Sequence, residues 1–242
     1  MSDLRPTLAR MPSTLIRVGH KGADLLSPGN TAESFRAALD SGVDMIEFDV
    51  LRLGDGRLVL AHDPGDAARR KPLTLDEGLD LFAEKAYAGV ELDVDLKLPG
   101  YEREVVDGLR ERGLDSHTLI SSMYRESLRA IGRLQPGLRR GWSVPKVKRD
   151  YTKSMVWALP AYGALRWMRA GLPSQAARAL RAGDCEALMV NHYLMSRRLA
   201  DEVHGAGGVL YVWTVDSASE IARFEEMGAD AVITNDPRLF RA

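Results

Sequence analysis

Met45-Ile-Glu-Phe-Asp-Val50 alternates two kinds of residue. Asp44, Ile46, Phe48 and Val50 fall on one side of an extended chain, and Met45, Glu47 and Asp49 on the other. That period is a strand's, and it sets the two carboxylates on one face, about 7 Å apart along it. Carboxylates sharing an interior face repel each other and are costly to desolvate, unless a cation lies between them or they stay at a wet strand end. The stretch is therefore a metal-binding strand end or a solvated acidic pair beside a core strand.

Upstream, Leu15-Ile-Arg-Val18 is a short strand running into Gly19-His20-Lys21-Gly22, and a Gly-rich loop follows as far as Gly29. Asn30 and Glu33 have the spacing of a capping box, opening a helix that Gly42 closes. Downstream, Leu53-Gly-Asp-Gly56 is a tight turn into Arg57-Leu-Val-Leu-Ala61, and so short a connection joins only antiparallel strands. The chain thus doubles back and carries His62-Asp63 toward Glu47 and Asp49. Thr74 and Glu77 form a second capping box, and Ser217 and Glu220 a third. Val90-Glu-Leu-Asp-Val-Asp-Leu96 is another acid-laden strand, with Glu91, Asp93, Asp95 and Lys97 on one face. Asp236-Pro237 reads as an N-cap and first position of a terminal turn.

With the doubled-back piece at 57–61 set aside, strands are expected at 15–19, 44–50, 90–96, 118–121, 138–143, 187–191, 208–213 and 230–234. Most are followed by a helix. Such a run in 242 residues predicts an α/β fold, a closed (β/α)8 TIM-type barrel with a short hairpin after strand 2. Polar residues collect where the strands end: His20, Glu47 and Asp49, Asp95 and Lys97, Ser121, Asn191, Trp213 and Thr214, Thr234 and Asn235. That is the active face of such a barrel, whereas an open sheet gathers them at one switch point.

Residues 1–242 are expected to form one barrel domain, with an insertion at 145–172. The insertion is Pro-flanked, first basic (Lys146, Lys148, Arg149, Lys153), then apolar and aromatic (Trp157, Tyr162, Trp167, Met168). It reads as a lid or interfacial patch that admits a lipid tail, or as a buried helix pair, since Pro160 and Gly163 interrupt a long amphipathic helix. A helix is expected to resume at 174–182.

A composition of 45% hydrophobic and 28% charged residues is that of an ordinary globular enzyme. A net charge of −1 argues against a nucleic-acid-coating protein. The single cysteine, Cys185, excludes an intrachain disulfide and a multi-thiolate metal site, and core packing is expected of it. Met1 to Pro6 has no apolar signal region, and no apolar run approaches a membrane span. The expected location is the cytoplasm, with peripheral contact at the inner membrane face through 154–172 as a reservation.

Acids from two neighbouring strands, two histidines and a lysine are what metal-assisted phosphoester cleavage needs. Carboxylate oxygens suit Mg²⁺ or Ca²⁺, and histidines titrate close enough to neutrality to give and take protons. His-Glu-x-x-His, Gly-x-Ser-x-Gly, Walker A and dinucleotide fingerprints are absent. His20-Lys21-Gly22, Asn30-Thr31, Ile46-Glu47-Phe48-Asp49-Val50, Asp55-Gly56, His62-Asp63, Asp95-Leu96-Lys97, Val212-Trp213-Thr214-Val215 and Ile233-Thr-Asn-Asp-Pro237 recur in this order over nearly the full chain. By them the sequence resembles the glycerophosphodiester phosphodiesterases.

The resemblance implies a β/α barrel holding Mg²⁺ or Ca²⁺ on Glu47, Asp49 and Asp95, with His20 and His62 as general acid and base. It implies attack on phosphorus by the substrate's own glycerol hydroxyl, expulsion of the alcohol, and opening of the cyclic phosphate by water. Lys21, Asn30, Lys97 and Trp213 are implied substrate contacts, Lys21 and Lys97 touching the phosphate or tuning the ligands and Trp213 lining the glycerol side. The chain departs from the pattern where Lys21 replaces the usual Arg, Gly29 the usual Glu, and Asp95 the commoner Glu. These changes leave the head group and the choice of metal open. The small-molecule partner is thus a glycerophosphodiester. A lysophospholipid is the variant that the apolar insertion favours. A barrel that binds a phospho-ligand without turnover would be the reading if the three acids failed to converge.

Overall fold

The computed structural model describes residues 15–145 and 158–241. The lead-in at 1–14 and the basic start of the insertion (Lys146, Lys148, Arg149, Lys153), together with Trp157 and the Tyr162 side chain, lie outside the described residues. Eight parallel strands alternate with helices. β1 (Ile16–Gly19), β2 (Met45–Arg52), β4 (Glu91–Leu96), β5 (Thr118–Ser122), β6 (Arg139–Val144), β7 (Ala187–Asn191), β8 (Val209–Trp213) and β9 (Ala231–Thr234) pair in sequence. β9 returns to β1 through Val18↔Ile233 and its neighbours, so the sheet closes into a TIM barrel. β3 (Leu58–Leu60) lies antiparallel on the end of β2 with Val50↔Leu60 paired, the expected hairpin.

The alternation in β2 is read out as two separate cores. Ile46, Phe48 and Val50 face outward into the layer between strands and helices. There Phe48 stacks on Phe82 at 4.9 Å between ring centres, and Phe35 and Tyr87 complete the aromatic group. Burying each such side chain contributes about 1.5–3 kcal/mol. A one-residue slip of β2 would turn these rings into the barrel and the acids out, so packing on the outer face holds Glu47 and Asp49 on the inner one. The barrel floor is a small apolar plug of Val18, Met45, Leu119, Met189, Tyr211 and Ile233. Above that plug the inward positions turn polar.

The helices are α1 (Ala32–Asp40), α2 (Pro64–Arg69), α3 (Leu75–Phe82), α4 (Glu102–Glu111), α5 (Arg125–Leu134), α6 (Ala158–Arg181), α7 (Arg197–Gly205) and α8 (Ala218–Glu226). Thr74 and Glu77 make a full reciprocal capping box on α3. The other two expected boxes differ. Thr31 caps α1 by accepting from Ser34 N, because Asn30 is turned to φ 60° and bonded elsewhere. Ser217 makes no side-chain cap bond to α8, its hydroxyl lying 3.0 Å from that of Ser219.

The expected short helix at 174–182 is the end of the 24-residue α6. Pro160 does not interrupt that helix, since it falls in the first turn, where a missing N–H has no intrahelical partner to lose. α2 was not expected, although Asp63-Pro64 is the same N-cap pair as Asp236-Pro237: Asp63 accepts from Asp66 N and Pro64 opens the helix. Cys185 is buried, and burial pushes its thiol up to about 12, which leaves it an inert packing group. No helix among the described residues is long and apolar enough to cross a membrane.

Candidate active site

The parallel register of β2 and β4 sets Glu47 beside Asp93 and Asp49 beside Asp95, with all four carboxylates buried. One carboxylate oxygen from each of Glu47, Asp49 and Asp95 lies within 4.8 Å of the others. The acids therefore converge, and the condition that would have favoured a non-catalytic barrel is not met. Lys97, at the end of β4, places Nζ 2.5 Å from both Asp49 Oδ1 and Asp95 Oδ2.

The charges respond to this crowding. Burial pushes Glu47 well above the usual carboxylate range, and the neighbouring Asp49 adds to it. Burial would push Asp49 up as well, but Lys97, His62, Lys21 and His20 together outweigh it and hold that carboxyl below its ordinary value. Asp95 is raised, again chiefly by burial. Asp93, one step deeper, is raised to about 8 by burial despite a hydrogen bond from Ser121. For Lys97, burial is outweighed by Asp49 and Asp95, so the ammonium is firmly charged.

One cation does not balance that many acids. Among the described residues, Asp95 Oδ1 and Asp93 Oδ1 are buried with no hydrogen-bond partner, a costly state for a carboxylate. An all-oxygen donor set of this kind fits a hard divalent cation such as Mg²⁺ or Ca²⁺ rather than a soft one.

His20 follows β1 and His62 follows β3, so barrel and hairpin deliver the two rings to one cavity. That cavity, about 220 Å³, is lined by His20, Glu47, His62, Asp93, Asp95, Lys97 and Trp213, with Ser121 and Ser143 among the rest of its wall. His20 Nε2 is 3.9 Å from Glu47 Oε2, and Nδ1 is 2.6 Å from Asn235 Oδ1. Burial, followed by the positive charge of Lys21, lowers the His20 pKa to about 4, so the ring is neutral at pH 7. His62 is half-exposed, with Asp63 Oδ2 3.2 Å from its Nδ1. Trp213 Nε1 is buried and finds no partner among the described residues.

Two of the expected substrate contacts are placed differently. Asn30 is fully buried, its Nδ2 donating to Asp49 Oδ2 at 2.8 Å and its Oδ1 accepting from Asp49 N at 3.0 Å. Both ends of the amide bond Asp49 and orient that acid. Lys21 does not line the cavity; its Nζ lies 3.4 Å from Asp24 Oδ2, and its backbone N–H donates to Glu47 Oε2 at 2.7 Å. A side chain at Gly29 would collide with Asp24 and with Lys21 Cβ, at 2.6 and 2.7 Å from its Cβ. Glycine is thus the residue this loop conformation accepts, and Asp24 receives the Gly29 N–H at 2.8 Å.

Asn30→Ala removes both bonds to Asp49 and leaves a buried N–H and carboxylate oxygen unpaired. The expected cost is about 2 kcal/mol or more, read as a lowered urea midpoint at unchanged slope. An unchanged midpoint would mean that water replaces the amide.

Asp93 and Asn235 also belong to this site, although neither is among the site residues expected from the sequence. Asp93 shares the face of Asp95 by strand parity. The pairing of Asn235 with His20 appears only when β9 closes against β1.

A family model described as the glycerophosphoryl diester phosphodiesterase family matches residues 20–96 and 74–239. A glycerophosphodiester phosphodiesterase of Caldanaerobacter subterraneus subsp. tengcongensis is 25% identical over 253 residues, covering 91% of this chain and 93% of the relative. A solved structure from Silicibacter pomeroyi, 20% identical, superposes with a TM-score of 0.74 and covers 96% of this chain and 93% of its own. An Oleispira antarctica phosphodiesterase, solved in complex with the product sn-glycerol-3-phosphate, gives a TM-score of 0.68 at 22% identity, covering 93% of this chain and 94% of its own.

Proposed function

Because the chain belongs to the glycerophosphoryl diester phosphodiesterase family, we propose that it hydrolyses glycerophosphodiesters to sn-glycerol 3-phosphate and an alcohol. The observation that carries this reading is one cavity at the strand ends, where two histidines from separate elements share the wall with Glu47 and Asp95, and Asp49 converges with those two acids from beneath that wall. Glu47, Asp49 and Asp95 are the residues to hold a divalent cation. Once bound, that ion neutralises phosphate charge and polarises phosphorus toward attack.

The protein's own groups divide the proton transfers. His20 is neutral, and Asn235 Oδ1 occupies its Nδ1 side, which leaves Nε2 toward Glu47 and the cavity as the base. His20 Nε2 takes the proton of the glycerol hydroxyl as that oxygen bonds to phosphorus. The phosphorus–oxygen bond to the alcohol breaks, and His62, its ring oriented by Asp63, gives the leaving oxygen a proton. In the second half water attacks the cyclic phosphate and yields its proton to His62, and His20 returns its own to the glycerol oxygen released. Lys97 keeps Asp49 and Asp95 ionised and oriented. Trp213 offers its unpartnered indole N–H to the glycerol moiety.

The test is a product assay on glycerophosphocholine, glycerophosphoethanolamine, glycerophosphoinositol and lysophosphatidylcholine, each with Mg²⁺ and with Ca²⁺. Release of sn-glycerol 3-phosphate from at least one of the three glycerophosphodiesters is expected. Turnover of lysophosphatidylcholine alone, or of no substrate with either ion, would contradict the reading.

A further inference from the structure

His20 Nδ1 and Asn235 Oδ1 stand 2.6 Å apart. Which ring nitrogen holds the proton depends on which way the Asn235 amide faces, and that is decided one residue further out. Asn235 Nδ2 donates to Asp216 Oδ2 at 2.7 Å, and a carboxylate only accepts. The amide nitrogen therefore faces Asp216 and the amide oxygen faces His20. It follows that His20 Nδ1 carries the ring hydrogen and Nε2 keeps its lone pair.

Asp216 is held in turn: its Oδ1 accepts from Asn235 N at 2.8 Å and from Thr234 Oγ1 at 3.0 Å. The acid lies between β8 and α8, Asn235 follows β9 and His20 follows β1, so the chain of bonds crosses three adjacent strand ends.

We infer that Asp216 is a positioning residue for the phosphodiesterase reaction, selecting through Asn235 the His20 tautomer that can take a proton at Nε2. This rests on His20 being the base, and it adds a residue that touches neither substrate nor ion.

The bond pattern dictates what Asp216→Asn does. The Asn235 backbone N–H can only donate, so the new amide must keep its oxygen there and set its nitrogen against Asn235 Nδ2. Two donors then face each other. Rotating the Asn235 amide by half a turn relieves the clash but points its NH₂ at His20 Nδ1, which must become an acceptor. The ring proton moves to Nε2, and the base is lost without loss of the ring. Adding Asn235→Asp repairs this: one oxygen of the new carboxylate accepts from the amide at position 216, the other from His20 Nδ1–H.

The experiment measures kcat and KM on glycerophosphocholine for wild type, D216N and D216N/N235D, and the His20 tautomer by ring ¹⁵N shifts at neutral pH. D216N is expected to lower kcat about 10²-fold or more with KM within about threefold. Its ring hydrogen should move to Nε2. The double variant should recover kcat to within about tenfold of wild type, with the hydrogen again on Nδ1. The inference is overturned if D216N keeps kcat within about threefold of wild type, or if the double variant is no better than D216N. Should D216N fail to fold, the wild-type spectrum decides alone: a hydrogen on Nε2 overturns the inference, one on Nδ1 supports it. An active His20→Ala protein would instead sink the base assignment beneath it, so the two failures are distinct.

Discussion

His20→Ala is expected to lower kcat for glycerophosphodiester hydrolysis by about 10²–10⁴-fold, the usual worth of a positioned proton acceptor. The ring is buried and neutral, with Nε2 on the side of the acid cluster, where a proton can be taken within the cavity. His62, reached by the hairpin and half-exposed, is the proton donor in the proposed mechanism, and a ring that still holds its proton cannot also take one. KM should change little, because the loss falls on the transition state rather than on ground-state binding. Steady-state kinetics on glycerophosphocholine decide it. A His20→Ala enzyme within about threefold of wild type would remove His20 from the chemistry.

The second large effect concerns Glu47, and it has two signs. Burial and the neighbouring Asp49 make the ionised form of Glu47 costly at neutral pH when no cation offsets it. Glu47→Gln keeps the shape and the bond from the Lys21 N–H while discarding that charge. In chelator the variant should melt no lower than wild type. With Mg²⁺ or Ca²⁺ present wild type should gain thermal stability by binding the ion, and the variant should gain much less. Activity should fall on the order of 10³-fold, as a cation's share of transition-state stabilisation is several kcal/mol. Melting curves and turnover on the same samples read both signs. Equal cation-induced stabilisation in the two proteins would remove Glu47 from the ion site.

What could be read from the chain and what could not divides along sequence distance. Strand parity is local, so the alternation of Ile46, Glu47, Phe48 and Asp49 placed the acids on the inner face directly, and the short turn at 53–56 implied the return of His62. Parity does not rank Asp93 against Asp95, because both point inward; position along the strand does, with Asp95 two residues nearer its end, paired with Asp49. Asn30 reads locally as a cap or a substrate contact, and the structure gives the cap to Thr31. Its amide reaches Asp49, and its positive φ frees Thr31 to cap the helix. His20 and Asn235 are 215 positions apart and meet only because the barrel closes, and no spacing rule could have found Asp216 behind them. Pro160 was read as a breaker from its identity alone, while its effect depends on its position in the helix.

If the buried acids of β2 and β4 hold the proposed ion, phosphodiester turnover at the barrel mouth depends on a cation. Turnover of glycerophosphocholine is then measured on one preparation, first stripped with chelator, then supplied with Mg²⁺ or Ca²⁺ in excess. No release of sn-glycerol 3-phosphate is expected from the stripped protein, with recovery on adding one of the two ions. Undiminished turnover in excess chelator would contradict that dependence.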